Sequence, residues 1–154
     1  MSKDCILIVD DEPTNIRLLS EVLKQDYDLK VATSGAQTIS LLEKDSAGID
    51  LILLDVNMPE MSGIDVLEKI RLQPDWQDIP VIFVTALNQE RNETEGLKKG
   101  AVDYITKPIS AAIVKARIET QLTLRHAQLA LSNQNKILEE RVKERTEEIS
   151  YTQD

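Results

Sequence analysis

Three short apolar runs constrain this chain more than any other feature. Cys5-Ile6-Leu7-Ile8-Val9, Leu51-Ile52-Leu53-Leu54 and Val81-Ile82-Phe83-Val84 all lack the polar alternation of a half-exposed strand. Runs of this length, apolar at every position, fit strands buried on both faces, as in a parallel sheet covered by helices. Leu29-Lys30-Val31-Ala32 and Tyr104-Ile105 are weaker versions of the same signal. Helical patterns lie between the runs. Pro13 suits the first turn of a helix, and Ile16, Leu19 and Leu23 follow on one face. Ala36, Ile39 and Leu42 form a second stripe after Ser34-Gly35, and Ile64, Leu67 and Ile70 a third after Ser62-Gly63. A short fourth helix is expected from Asn92 to Lys99, closed by Gly100. Strand-helix alternation at this spacing predicts an α/β fold, a doubly wound sheet of five parallel strands. Such sheets bind ligands outside the carboxyl ends of their strands, at the switch point in strand order.

From Ser110 the pattern changes. About 40 residues run without Gly or Pro, rich in Ala, Gln, Leu, Glu, Lys and Arg. At 1.5 Å per residue they make a helix of roughly 60 Å, too long for one small sheet and expected to project. The chain thus divides into a core over 1–110 and a long fifth helix over 111–154 that continues into a coiled-coil linker. Leu131, Asn135, Leu138, Val142, Arg145, Ile149 and Thr152 step by four and three in turn, a heptad register. Asn135 falls at an a position, where a buried amide favours a parallel, in-register dimer at some cost in stability. Upstream, Ile118, Leu122 and Leu129 follow one register and Leu124, Ala127 and Leu131 another, so the repeat contains a skip. A monomeric, solvated helix is the alternative.

Charge narrows the function classes. The net charge of −9 comes from 27 acidic against 18 basic side chains, and residues 111–154 hold seven of each, so the whole excess lies in the first 110 residues. An acidic globule without a Lys/Arg cluster is a poor partner for nucleic acid, whose phosphates supply most non-specific affinity. A metal cation or a basic surface suits it better. No apolar run approaches a membrane span, no signal peptide is visible, and Cys5 alone cannot form an internal disulfide. A cytoplasmic location is expected.

The strand ends carry the chemistry. Val9 leads into Asp10-Asp11, Leu54 into Asp55, Val84 into Thr85, and the fifth strand into Lys107-Pro108. In a parallel sheet these groups gather at one edge. Three neighbouring carboxylates repel one another unless a cation compensates. Oxygen donors without His or Cys suit a hard ion such as Mg²⁺. A lysine and a hydroxyl add two groups able to hold phosphate oxygens. A carboxylate can itself accept a phosphoryl group as an acyl phosphate. Each residue alone also has a duller reading: an acid capping the following helix, a solvated lysine, a hydroxyl bonded to backbone. Arriving together at strand ends, they favour the site.

Ile8-Val9-Asp10-Asp11-Glu12-Pro13, Leu54-Asp55-Val56-Asn57-Met58-Pro59, Ser62-Gly63, Thr85-Ala86 and Tyr104-Ile105-Thr106-Lys107-Pro108 resemble, in order and spacing, the motifs of the CheY-like response regulator receiver family over about residues 4–125. The resemblance implies a flavodoxin-like sheet of order 2-1-3-4-5. It implies Asp55 as phosphoacceptor and Mg²⁺ held by Asp10, Asp11, Asp55 and the Asn57 backbone carbonyl. It implies Thr85, Ala86 and Lys107 around the phosphoryl group, a cis peptide bond before Pro108, and Tyr104 as a switch aromatic that moves inward. The donor would be a phosphohistidine on a sensor histidine kinase, and the chain would catalyse only its own phosphorylation and dephosphorylation. The segment from Leu138 to Ile149 is similar to linker helices that precede HD-GYP or GGDEF output domains, so a downstream output domain is expected.

Two rivals remain. A haloacid-dehalogenase-like phosphatase would want its nucleophile after the first strand in an Asp-x-Asp pattern, which Asp10-Asp11-Glu12 lacks. A vestigial dimerisation module would keep the fold and lose the chemistry. His126 reads as part of a solvated helix face, Cys5 as an inert strand residue, and Trp76 receives no role.

Overall fold

A computed structural model of the chain describes residues 3–86 and 100–152, with side chains described as far as Gln134 and at Leu138. The helix expected over Asn92–Lys99 lies outside the described residues. Five strands, β1 (Cys5–Val9), β2 (Asp28–Ala32), β3 (Leu51–Asp55), β4 (Val81–Ala86) and β5 (Asp103–Lys107), form one parallel sheet in the order β2-β1-β3-β4-β5. The described helices are α1 (Pro13–Leu23), α2 (Gly35–Asp45), α3 (Gly63–Leu72) and the long α4 (Ala111–Thr152). This is the flavodoxin-like arrangement.

The unbroken apolar runs follow from having two covered faces. Along β1, Leu7 and Val9 join one core with Ile52, Leu54, Val81 and Phe83, which α2 and α3 cover through Leu42, Val66, Leu67 and Ile70. Ile6 and Ile8 join the other with Leu51, Leu53, Ile82 and Val84, covered by Leu19 and Leu23 of α1 and Val114, Ile118 and Leu122 of α4. Successive strand residues point to opposite faces, so a strand sandwiched between helices needs an apolar residue at every step.

Local chemistry sets the helix starts. Ser34 accepts a hydrogen bond from the Gln37 N–H, and Ser62 with Asp65 makes a reciprocal capping box at the head of α3. The head of α1 differs: Pro13 occupies its first turn and Glu12 caps it without a side-chain bond. Trp76 is buried beside Ile79 in the core beneath α3, so it has a structural role that the sequence did not disclose.

The compact unit runs from Met1 to Leu122, so the first three turns of α4 belong to it. A second unit begins at Thr123 within the same helix. The composition break at Ser110 therefore marks where the helix starts, and the packing break comes twelve residues later. Ile118 and Leu122 of the first register face the sheet, whereas Leu129 of that register and Leu124 and Leu131 of the other are exposed.

Candidate functional site

Strand register gathers the site. Val9 lies opposite Leu54, so Asp10 follows β1 beside Asp55 at the end of β3. Asp55 pairs with Val84, which places Thr85 next along β4, and Ala86 pairs with Lys107. Oxygens of Asp10, Asp11 and Asp55 all lie within 4.8 Å of one another. Lys107 Nζ stands 3.5 Å from Asp55 Oδ1 and 3.8 Å from Asp10 Oδ2. The Lys107–Pro108 peptide bond is cis.

Three of these groups are out of water. Asp10, Asp55 and Thr85 are buried, while Asp11, Ala86, Tyr104 and Lys107 are partly exposed. Asp10 Oδ1 accepts the Glu12 N–H at 2.9 Å, but Oδ2 is buried without a hydrogen bond, and Thr85 Oγ1 is in the same condition. Buried polar atoms of that kind cost about 1–3 kcal/mol each. Both lie at the sheet edge that carries the acidic cluster, where a ligand could satisfy them. Asp55 Oδ1 accepts the Asn57 N–H at 3.2 Å. Burial, then the charge of Asp10, raises the Asp55 carboxyl from its ordinary 3.8 to about 7; Lys107 and the Asn57 N–H pull the other way and do not win. The capping explanation for the acids finds no support, because Glu12 caps α1 and Asp10 reaches back only to the Glu12 N–H.

Neighbouring elements hold the loop after Asp55 in place. Gly63 donates its N–H to the Val56 carbonyl at 2.9 Å. A Cβ at Gly63 would collide with the Asp55 carbonyl and lie 2.8 Å from Val56 Cα, so only glycine lets α3 begin this close to β3. Arg71 at the far end of α3 donates to the carbonyls of Gln77 and Ile79 at 2.8 Å each, and twice to that of Gly100. It ties the entries to β4 and β5 together. Nothing local to Arg71 in the sequence points to a residue 29 positions away.

The family model for the response regulator receiver domain matches residues 6–119. The chain belongs to that family. Receivers of two-component systems are phosphorylated by sensor histidine kinases and bind Mg²⁺ through their acidic pocket, and the oxygen-only donor set with the orphaned Asp10 Oδ2 fits such an ion. The receiver is 42% identical over its whole length to a "Probable cyclic di-GMP phosphodiesterase" of Vibrio cholerae serotype O1, covering 34% of that protein. It is 38% identical over 116 residues to "Response regulator PleD" of Caulobacter vibrioides, covering 25% of that protein. The chain thus spans no more than about a third of these two relatives. A receiver domain structure from Clostridium thermocellum superposes with a TM-score of 0.74 at 26% identity, covering 81% of this chain and 98% of that one. Among the described residues, no helix is long and apolar enough to cross a membrane.

Proposed function

We propose that this receiver takes a phosphoryl group onto Asp55 from a phosphohistidine of a sensor kinase and relays the change through a dimeric α4 to a following output domain. The observation that carries the reading is the convergence of Asp55 with two further carboxylates, a lysine and an unpartnered hydroxyl. An Asp55 oxygen attacks phosphorus, the P–O bond forms as the P–N bond breaks, and the imidazole leaves with the electron pair and takes up a proton. The transition state is loose and spreads its charge over the equatorial oxygens, so charge compensation matters more than a general base. Asp10, Asp11, Asp55 and the Asn57 carbonyl would hold Mg²⁺, which supplies part of that compensation. Lys107, already beside Asp55, takes one phosphoryl oxygen, and the Thr85 hydroxyl turns to take another. Ala86 is small enough to leave the phosphoryl group access. As Thr85 turns inward, Tyr104 follows it.

Two observations support the downstream half. Leu124, Leu131 and Leu138 are seven residues apart and 50%, 59% and 56% exposed, an apolar stripe suited to a second copy of the helix. Likeness to the cyclic di-GMP phosphodiesterase runs through the tail, whereas the PleD match covers 116 residues, which favours an output domain that turns over cyclic di-GMP.

The test is incubation with acetyl phosphate and Mg²⁺, followed by intact-mass measurement. A single phosphoryl adduct in the wild type and none in Asp55→Asn is expected. A natively folded wild type that takes no adduct overturns the reading. Sedimentation of Leu131→Glu against wild type tests the dimer: equal masses would refute it.

A further inference from the structure

One arrangement lies outside the phosphoryl pocket. β5 is an edge strand, and Asp103 and Tyr104, consecutive on it, point to opposite faces of the sheet. Arg117 of α4 spans that edge. Its Nη1 donates to both Asp103 carboxylate oxygens, at 3.0 and 2.9 Å, while its Cζ lies 5.8 Å from the centre of the Tyr104 ring. On either side along α4, Val114 and Ile118 are fully buried against the sheet, so the backbone that carries Arg117 is fixed.

We propose that Arg117 is a positioning residue for Tyr104, holding the ring at the sheet edge so that α4 and the Asp55 pocket compete for one aromatic side chain. The inference rests on the reading of Asp55 as phosphoacceptor and adds the residue that sets its resting bias. Magnitudes assign the two contacts different parts. Arg117 is 41% exposed and Asp103 23%, so their ion pair adds little stability and serves to aim the guanidinium. The cation over the ring is what Tyr104 gives up when it moves. Loss of that contact shifts the balance toward the inward ring by roughly two- to five-fold, the factor for a partly exposed cation–π pair.

The test labels the protein with 3-fluorotyrosine and follows the Tyr104 resonance, assigned through Tyr104→Phe, with and without Mg²⁺ and beryllofluoride. In Arg117→Gln without ligand, the resonance is expected to lie displaced toward its ligand-bound position, and acetyl phosphate labelling to run roughly two- to five-fold faster. Asp103→Asn, which removes the aim but leaves the cation, should move the resonance the same way by less. Unchanged resting resonances in both variants overturn the proposal. If wild type takes neither beryllofluoride nor phosphoryl, the phosphoacceptor reading fails, and a ligand-free Tyr104 resonance displaced in Arg117→Gln and less so in Asp103→Asn would still support the positioning of the ring by Arg117.

Discussion

Replacing Asp55 by Asn should stabilise the metal-free protein, and the gain should depend on pH. In the folded chain the carboxyl is raised from 3.8 to about 7, first by burial and then by Asp10. A carboxyl raised in the native state favours its protonated form there. Native stability therefore falls as pH climbs from about 4 to about 7, and the loss is complete above that range. At 1.36 kcal/mol per tenfold change in ionisation, the full penalty is about 4 kcal/mol, and relaxation of the pocket keeps the measured value nearer 2–4 kcal/mol. Asn keeps the shape and the oxygen that accepts the Asn57 N–H, and it carries no charge to desolvate. Urea unfolding in EDTA, followed by the fluorescence of Trp76, the only tryptophan and a buried one, gives both stabilities. At pH 8 Asp55→Asn should exceed wild type by about 2–4 kcal/mol, and at pH 4.5 the two should agree within about 1 kcal/mol. Millimolar Mg²⁺ should raise wild type alone. Equal stabilities at pH 8 without metal would show that the pocket stores no such strain.

Three further outcomes follow from the same geometry. Thr85→Val removes a buried hydroxyl that has no hydrogen bond and should raise stability by about 1 kcal/mol while slowing labelling by acetyl phosphate, read by unfolding and by mass. Gly63→Ala forces a Cβ against the Asp55 carbonyl and Val56, and calorimetry should find Mg²⁺ affinity reduced by about ten-fold or more as the loop carrying Asn57 shifts. Arg71→Met keeps the apolar stem but strands the carbonyls of Gln77, Ile79 and Gly100, and should cost at least about 3 kcal/mol in urea unfolding.

The fold and the gathering of the acidic cluster were legible for one physical reason. A strand buried on both faces must be apolar throughout, so Asp10, Asp55 and Thr85 stand out as the first polar groups after such runs, and parallel pairing carries them, with Lys107 of the weaker β5, to one edge. The weaker strands were harder to see because they are less buried: β2 exposes Asp28 and Val31, and β5 buries only Ile105 fully. Arg71, Trp76 and Arg117 gave no signal. Their partners are set by where loops and helix ends meet in space, and an arginine reaching a carbonyl 29 residues away looks like any surface arginine in the sequence. The tail was legible as a helix, but its two apolar registers could be assigned only once packing showed Ile118 and Leu122 against the sheet and Leu124 and Leu131 exposed.

The far face of the sheet is closed by Val114, Ile118 and Leu122, residues of the same helix that runs on into the tail. The protein therefore cannot complete that core without also ordering the start of the helix that carries the tail. Leu19 and Leu23 of α1 cover part of this face, and the cover is complete only once the chain extends past residue 122, when Lys107 has already been made. Completing that face of the core and ordering the first three turns of α4 are therefore coupled, so a truncation ahead of Val114 would strip the cover from the sheet together with the start of the tail helix.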